Sequence, residues 1–174
     1  LATGSSLLLA DDSITIQKVI NLTFADEGMN VTTVGNGDLA MAKIEELSPD
    51  IVMLDVHMPG LNGYEICERL KLSDRFRNIP VILLVGSFEP FDEDEARRVG
   101  ADDFLTKPFQ SIRQLINKVG ALLQDREVGA LSTAPESAEK PDEAAVEYEV
   151  APGQDFLGSS NAVGIPSEPA ARTE

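Results

Sequence analysis

Asp11 and Asp12 stand side by side directly after the apolar run Leu7–Ala10, in "LLLADDS". A third carboxylate, Asp55, closes a second apolar run in "IVMLD", and Lys107 follows a third in "DFLTK". Carboxylates gathered on one rim repel one another and resist desolvation unless a cation sits among them. Oxygen donors suit a hard divalent ion, and a small, partly hydrated site points to Mg²⁺. In "DVHMPGLNGYE", Pro59 and Gly60 impose a tight turn just after Asp55, and Gly63 lets the backbone enter the next helix. The turn is expected to hold Asp55 exposed at a fixed position, where its carboxylate can attack a phosphoryl group. Lys107 then supplies a second positive charge, and Pro108 pins its loop and can support a cis peptide.

The elements that must position these groups are legible as an alternation of short apolar runs with helix-period segments. "LLLA", "NVTTV", "IVML", "VILLV" and "DFLT" read as strands, and "IVML" is continuously apolar, as in a strand covered on both faces. Between them, "SITIQKVINLTFADEG" puts Ile16, Val19, Ile20, Thr23 and Phe24 on one helical face, with Gly28 as its stop. "DLAMAKIEEL", "NGYEICERLKL" and "DEDEARRV" are further helices. A last one opens at the capping box Ser111-x-x-Gln114 and is expected to bury Ile112, Leu115, Ile116, Val119 and Leu123. Five strands alternating with five helices predict an α/β fold, a doubly wound parallel sheet with right-handed crossovers. In such sheets ligands bind at the carboxyl ends of the strands, which is where the three carboxylates and the lysine fall.

The chain has 174 residues, 43% of them hydrophobic, enough for one good core. Its 30 acids against 14 bases give a net charge of −16, which excludes a phosphate-backbone surface and docking on anionic membrane. No apolar run is long enough to span a bilayer, and "LATGSS" carries no signal-peptide pattern. The lone cysteine, Cys67, has no disulfide partner and lies with Ile66 and Leu70 on a helix face, so it reads as a core thiol in a reducing cytoplasm. A domain is expected over residues 5–124. Residues 125–174, with 11 acids, three bases and many Ala, Pro, Ser and Gly, are expected to form a disordered acidic tail or linker.

Taken together, "LLLADDS", "IVMLDVHMPGLNG", "PVILLV" and "ADDFLTKPF" resemble the CheY-like receiver domain of two-component response regulators, from Leu7 to about Leu123. The resemblance implies a flavodoxin-like sheet of strand order 2-1-3-4-5. It makes Asp55 the phosphoacceptor, loaded by a histidine kinase or a phosphotransfer protein, in a chain that is no enzyme beyond its own phosphotransfer and dephosphorylation. Asp11, Asp12 and Asp55 match the Mg²⁺ site, the His57 backbone carbonyl matches a further ligand, and Lys107 matches the lysine that contacts the phosphoryl group. Phe104 falls at the aromatic switch position, and the output surface, for an unknown partner, lies near the fourth helix, fifth strand and fifth helix. One position departs from the pattern. The strand-four end that normally carries Thr or Ser lies 30 residues after Asp55 and 22 before Lys107, and here it is Val85. The missing hydroxyl could be replaced by Ser87 or by the Gly86 backbone N–H, the latter being favoured. It also keeps open the alternative of a phosphorylation-independent interaction module.

Two rival chemistries fit less well. "VGNGDLA" mimics a dinucleotide fingerprint, with Asp55 placed 20 residues past Gly35, but it follows the second strand and leaves Asp11, Asp12 and Lys107 without roles. A haloacid-dehalogenase-type phosphatase also uses an Asp nucleophile, a Lys and an acidic pair. Its nucleophile comes first in the chain and has an Asp two residues on, whereas here the pair comes first and His57 holds that place.

Overall fold

The computed structural model describes residues 3–131, with side chains as far as Arg126. Five strands, β1 (Ser6–Ala10), β2 (Asn30–Val34), β3 (Ile51–Asp55), β4 (Val81–Gly86) and β5 (Asp103–Lys107), form one sheet of order β2-β1-β3-β4-β5. Every pairing is parallel, so each crossover carries a helix. The helices are α1 (Ile14–Asp26), α2 (Gly37–Leu47), α3 (Gly63–Leu72), α4 (Glu93–Arg98) and α5 (Ile112–Leu131). This is the doubly wound architecture and strand order expected from the sequence.

Two apolar layers flank the sheet. On one face Leu7, Leu9, Ile51, Met53, Ile82 and Leu84 pack with Ile20 and Phe24 of α1 and Leu115, Val119 and Leu123 of α5. On the other, Leu8, Val52, Leu54, Leu83 and Val85 pack with α2, α3 and α4. The strands alternate with a period of two, so a strand residue's parity decides which layer it enters. β3 is buried along its whole length, as its continuous apolar run requires.

Helix ends are set by local chemistry. The Ser13 hydroxyl caps α1 by accepting from the Ile16 N–H, so neither Asp11 nor Asp12 is spent on that task. Asn62 and Glu65 form a reciprocal capping box at α3. At α5 the Ser111 hydroxyl accepts from the Gln114 N–H at 3.3 Å, but Ile112 is exposed rather than buried: the layer starts one turn later, at Leu115.

The last helix, α5, runs past the expected boundary at residue 124 and continues to Leu131. Arg126 explains the extension: its Nη1 donates to the Asp50 backbone carbonyl and carboxylate, at 2.8 and 2.9 Å. Asp50 in turn accepts from the Ser6 N–H and hydroxyl, so α5 is tied to the start of both β1 and β3. The acidic segment expected beyond lies, from residue 132 on, outside the described residues. Among those described, no helix is long and apolar enough to cross a membrane.

Cys67 is fully buried, its Sγ donating to the Val99 carbonyl at 3.5 Å, and burial pushes the thiol up to about 12. At pH 8 its alkylation by iodoacetamide should therefore be slow in the native protein and fast in denaturant. Comparable rates in both conditions would remove Cys67 from the core.

Candidate functional site

Strand parity brings the chemistry-bearing side chains together. Leu7 and Leu9, Ile51 and Met53, and Leu105 all face the α1/α5 layer, and the same alternation carries Asp11, Asp55 and Lys107 onto that face at the carboxyl ends of β1, β3 and β5. Lys107 Nζ lies 2.7 Å from Asp55 Oδ2 and 3.0 Å from Asp11 Oδ2. Carboxylate oxygens of Asp11, Asp12 and Asp55 all fall within 4.8 Å of one another.

Asp55 is 1% exposed, and this corrects the expectation of an exposed carboxylate. The Pro59-Gly60 turn does not lift it into solvent; Lys107 Nζ sits on its Oδ2, and its Oδ1 accepts from the His57 N–H at 3.3 Å. Burial raises its pKa above the ordinary carboxylate value, and neighbouring Asp11 adds to that, while the hydrogen bond from Lys107 works against it. Burial also opposes the charge on Lys107, but its hydrogen bonds to Asp55 and Asp11 prevail and hold the ammonium above its usual range. Asp11 is fully buried and also accepts from the Ser13 N–H at 2.8 Å, whereas Asp12 is exposed. Formally, three carboxylates against one ammonium leave two negative charges uncompensated. That excess equals the charge of one divalent cation, and an all-oxygen donor set suits a hard one.

An open cleft beside the pair is lined by Asp12, Val56, His57, Met58, Pro59 and Gly60. It places His57 of the predicted ligand set on the same opening as Asp12. Gly60 has φ +79°, a left-handed conformation that only glycine adopts without strain, and the Pro59 carbonyl accepts from the Gly37 N–H at 3.0 Å. The loop is thereby clamped to α2. Gly37, part of the fingerprint-like "VGNGDLA", serves that packing: a Cβ there would lie 1.9 Å from the Leu61 carbonyl oxygen. The Lys107–Pro108 peptide is cis.

The predicted switch residues divide. Val85 is buried against the α2–α4 layer and brings no donor. The Ser87 hydroxyl donates to the Lys107 carbonyl at 2.6 Å, facing β5 rather than Asp55. The Gly86 N–H donates to Glu89 Oε2 at 2.9 Å. Phe104 is partly exposed and packs on Phe91, with ring centroids 4.7 Å apart; Phe91 in turn stacks on Tyr64 at 6.5 Å. The Tyr64 hydroxyl bonds the backbone of Asp92, the N-cap of α4. Sequence reasoning missed Glu89, Phe91 and Tyr64. For Glu89 and Phe91 the only signal was the acidic and aromatic content of "GSFEPF", which has no period, and Tyr64 lies in the first turn of the predicted helix "NGYEICERLKL".

The family profile for the response regulator receiver domain matches residues 7–120, well over half of the chain. The chain belongs to that family. Among relatives of this receiver domain, PilG of Pseudomonas aeruginosa is 36% identical over 118 residues, covering 68% of this chain and 87% of that protein. PhoP of Bacillus subtilis, an alkaline phosphatase synthesis transcriptional regulatory protein, is 34% identical over 140 residues, 80% of this chain but 55% of its own length. The chain therefore spans about half of that longer regulator. Among solved structures, the receiver resembles chemotaxis response regulator CheY4 of Vibrio cholerae (TM-score 0.63, 29% identity, 69% of this chain and 99% of that one). It also resembles the signal receiver domain of a signal transduction histidine kinase from Syntrophus aciditrophicus (TM-score 0.65, 31% identity, 80% and 100%).

Gly63 lets the start of α3 in this receiver approach the backbone at the end of β3. A Cβ there would lie 2.6 Å from the Asp55 carbonyl oxygen, which is backbone and cannot move aside cheaply. Gly63→Ala should cost about 2 kcal/mol or more in urea unfolding, the scale of overpacking against fixed backbone. A change below about 0.5 kcal/mol, the scale of surface substitutions, would show that β3 and α3 are not held at this distance.

Proposed function

We propose that this receiver accepts a phosphoryl group on Asp55 from the phosphohistidine of a histidine kinase or phosphotransfer protein, in a Mg²⁺-dependent reaction in the cytoplasm. The observation that carries the reading is the Asp11–Lys107–Asp55 ion pair with Asp12 beside it. An Asp55 oxygen attacks phosphorus; the O–P bond forms as the P–N bond to the donor imidazole breaks, and the electron pair leaves on that nitrogen. Asp55 must be ionised to attack, and the hydrogen bond from Lys107 favours the ionised form in a buried place. Lys107 also faces the incoming phosphoryl oxygens from the same side of the sheet.

Asp11, Asp12, Asp55 and the His57 carbonyl are the groups that would hold Mg²⁺, which supplies charge neutralisation of phosphoryl oxygens when bound. The signal leaves through the surface of α4, β5 and α5 that includes Phe104, toward a partner protein. The absence of a hydroxyl at Val85 favours a second reading, an interaction module that acts without phosphate.

Mass spectrometry after incubation with acetyl phosphate and Mg²⁺ tests the chemistry. Wild-type protein should gain one phosphoryl group and Asp55→Asn none; equal labelling would reject Asp55 as acceptor. For the metal, Mg²⁺ should raise the melting temperature of wild type and leave Asp12→Ala almost unmoved. Without metal, the variant should melt no lower than wild type, because a like-charged neighbour has been removed. An identical Mg²⁺ response in both proteins would place the cation elsewhere.

A further inference from the structure

The end of β4 already holds an anion. Leu84 accepts from the Val56 N–H, so the β3-facing edge of β4 continues to the Gly86 N–H, just past the end of β3 where Asp55 sits. Ser87, one residue on, faces β5 instead, its N–H donating to the Lys107 carbonyl. The Gly86 N–H is thus the donor that β4 aims at the site, and Glu89 Oε2 occupies it at 2.9 Å.

A second observation places the same carboxylate on the reactive face. Ile82 and Leu84 face the α1/α5 layer, so a side chain at 86 would project beside Asp55 and Lys107. Where that Cβ would stand, the Glu89 carboxyl carbon and both oxygens lie 2.5–2.8 Å away. Glycine at this position is what admits the Glu89 carboxylate. Across the opening, Glu89 Oε2 lies 3.3 Å from His57 Nδ1, linking the β4–α4 loop to the loop that follows Asp55.

We propose that Glu89 is a resident anion in the place of a phosphoryl oxygen, and that phosphorylation signals by displacing it. This rests on the phosphoacceptor reading of Asp55. A phosphoryl group on Asp55 brings negative oxygens toward the Gly86 N–H, and a single N–H cannot serve both anions at full strength. The expelled carboxylate moves a short and stiff segment. Pro90 follows Glu89, and Phe91, next in line, is the ring on which Phe104 packs and which stacks on Tyr64. Ligand exchange at Gly86 therefore reaches the aromatic surface through two residues, without a hydroxyl at Val85. The same carboxylate repels an anionic phosphodonor, so it slows loading of Asp55.

Two variants separate seating from charge. Glu89→Ala removes the carboxylate, and Glu89→Asp keeps the charge but is one methylene too short to reach the Gly86 N–H from the same backbone. In the unphosphorylated state, both should shift the Gly86 amide proton upfield and move the Phe91 and Phe104 resonances toward the positions that beryllofluoride and Mg²⁺ induce in wild type. Labelling of Asp55 by acetyl phosphate should accelerate roughly 3- to 10-fold in Glu89→Ala, the scale of removing one nearby like charge. Wild-type amide and aromatic shifts in both variants would overturn the proposal, as would equal labelling rates in wild type and Glu89→Ala. If none of the proteins is labelled, the phosphoacceptor reading fails, and with it displacement by phosphate. The free-state Gly86 shift would then decide separately whether Glu89 occupies the donor.

Discussion

One ammonium group, the Nζ of Lys107 between Asp55 and Asp11, is the constraint on which the site depends. Two carboxylates buried to this degree could not stay ionised side by side without it. The position of that ammonium is a product of the whole sheet. Asp11 and Lys107 are 96 residues apart and sit on β-strand ends separated by β3 and β4. Only the strand order and the in-register parallel pairing bring them within reach. Burial consequently acts on Asp55 in two ways: it leaves the carboxylate poorly solvated and at the same time raises its affinity for a proton.

The fold was legible because its signals are periodic. Continuous apolar runs at β1, β3 and β4 and the apolar faces of α1 and α5 report burial on two sides of a parallel sheet. The site was legible for a related reason: charged residues that follow apolar runs directly must lie at strand ends. What strand position does not report is depth. Asp55 precedes a turn rich in Pro and Gly, which reads as an exposed presentation, yet a lysine 52 residues further on sits on its Oδ2. Nor does local sequence report a tertiary anchor, which is why the Arg126–Asp50 contact was not legible from composition. Glu89 and Tyr64 lay beyond sequence reasoning because their partners are backbone groups, the Gly86 N–H and the Asp92 N–H and carbonyl, which leave no mark in residue type.

Glycines show how one residue type serves unrelated demands here. In "VGNGDLA" the spacing imitates a nucleotide-binding turn, but the structure uses Gly37 to bring the start of α2 against the Leu61 carbonyl. Gly63 does the same for α3 against Asp55, so the phosphoacceptor candidate is positioned from behind by a close backbone contact. A fingerprint of this kind is informative only with its place in the strand order, and this one leaves the edge strand β2, where the Val34 carbonyl accepts from the Asp11 N–H and Gly37 bonds the loop after Asp55.

The loop between β4 and α4 joins the charged and aromatic halves of the domain. Its first residues belong to the site: Gly86 in register with Lys107, and Ser87 bonded to the Lys107 carbonyl. Its last residues belong to the surface, with Phe91 between Phe104 and Tyr64, and Asp92 capping α4 while bonded to the Tyr64 hydroxyl. A helix of six residues has little cohesion of its own, so α4 takes its position from these anchors. Any change in where Glu89 is held must then be absorbed within the few residues before Phe91. In a packed surface those residues have discrete rather than graded alternatives. Under the proposed displacement of Glu89, this gives a discrete change at Phe104 a physical basis in a domain whose strand-end residue, Val85, cannot make a hydrogen bond through its side chain.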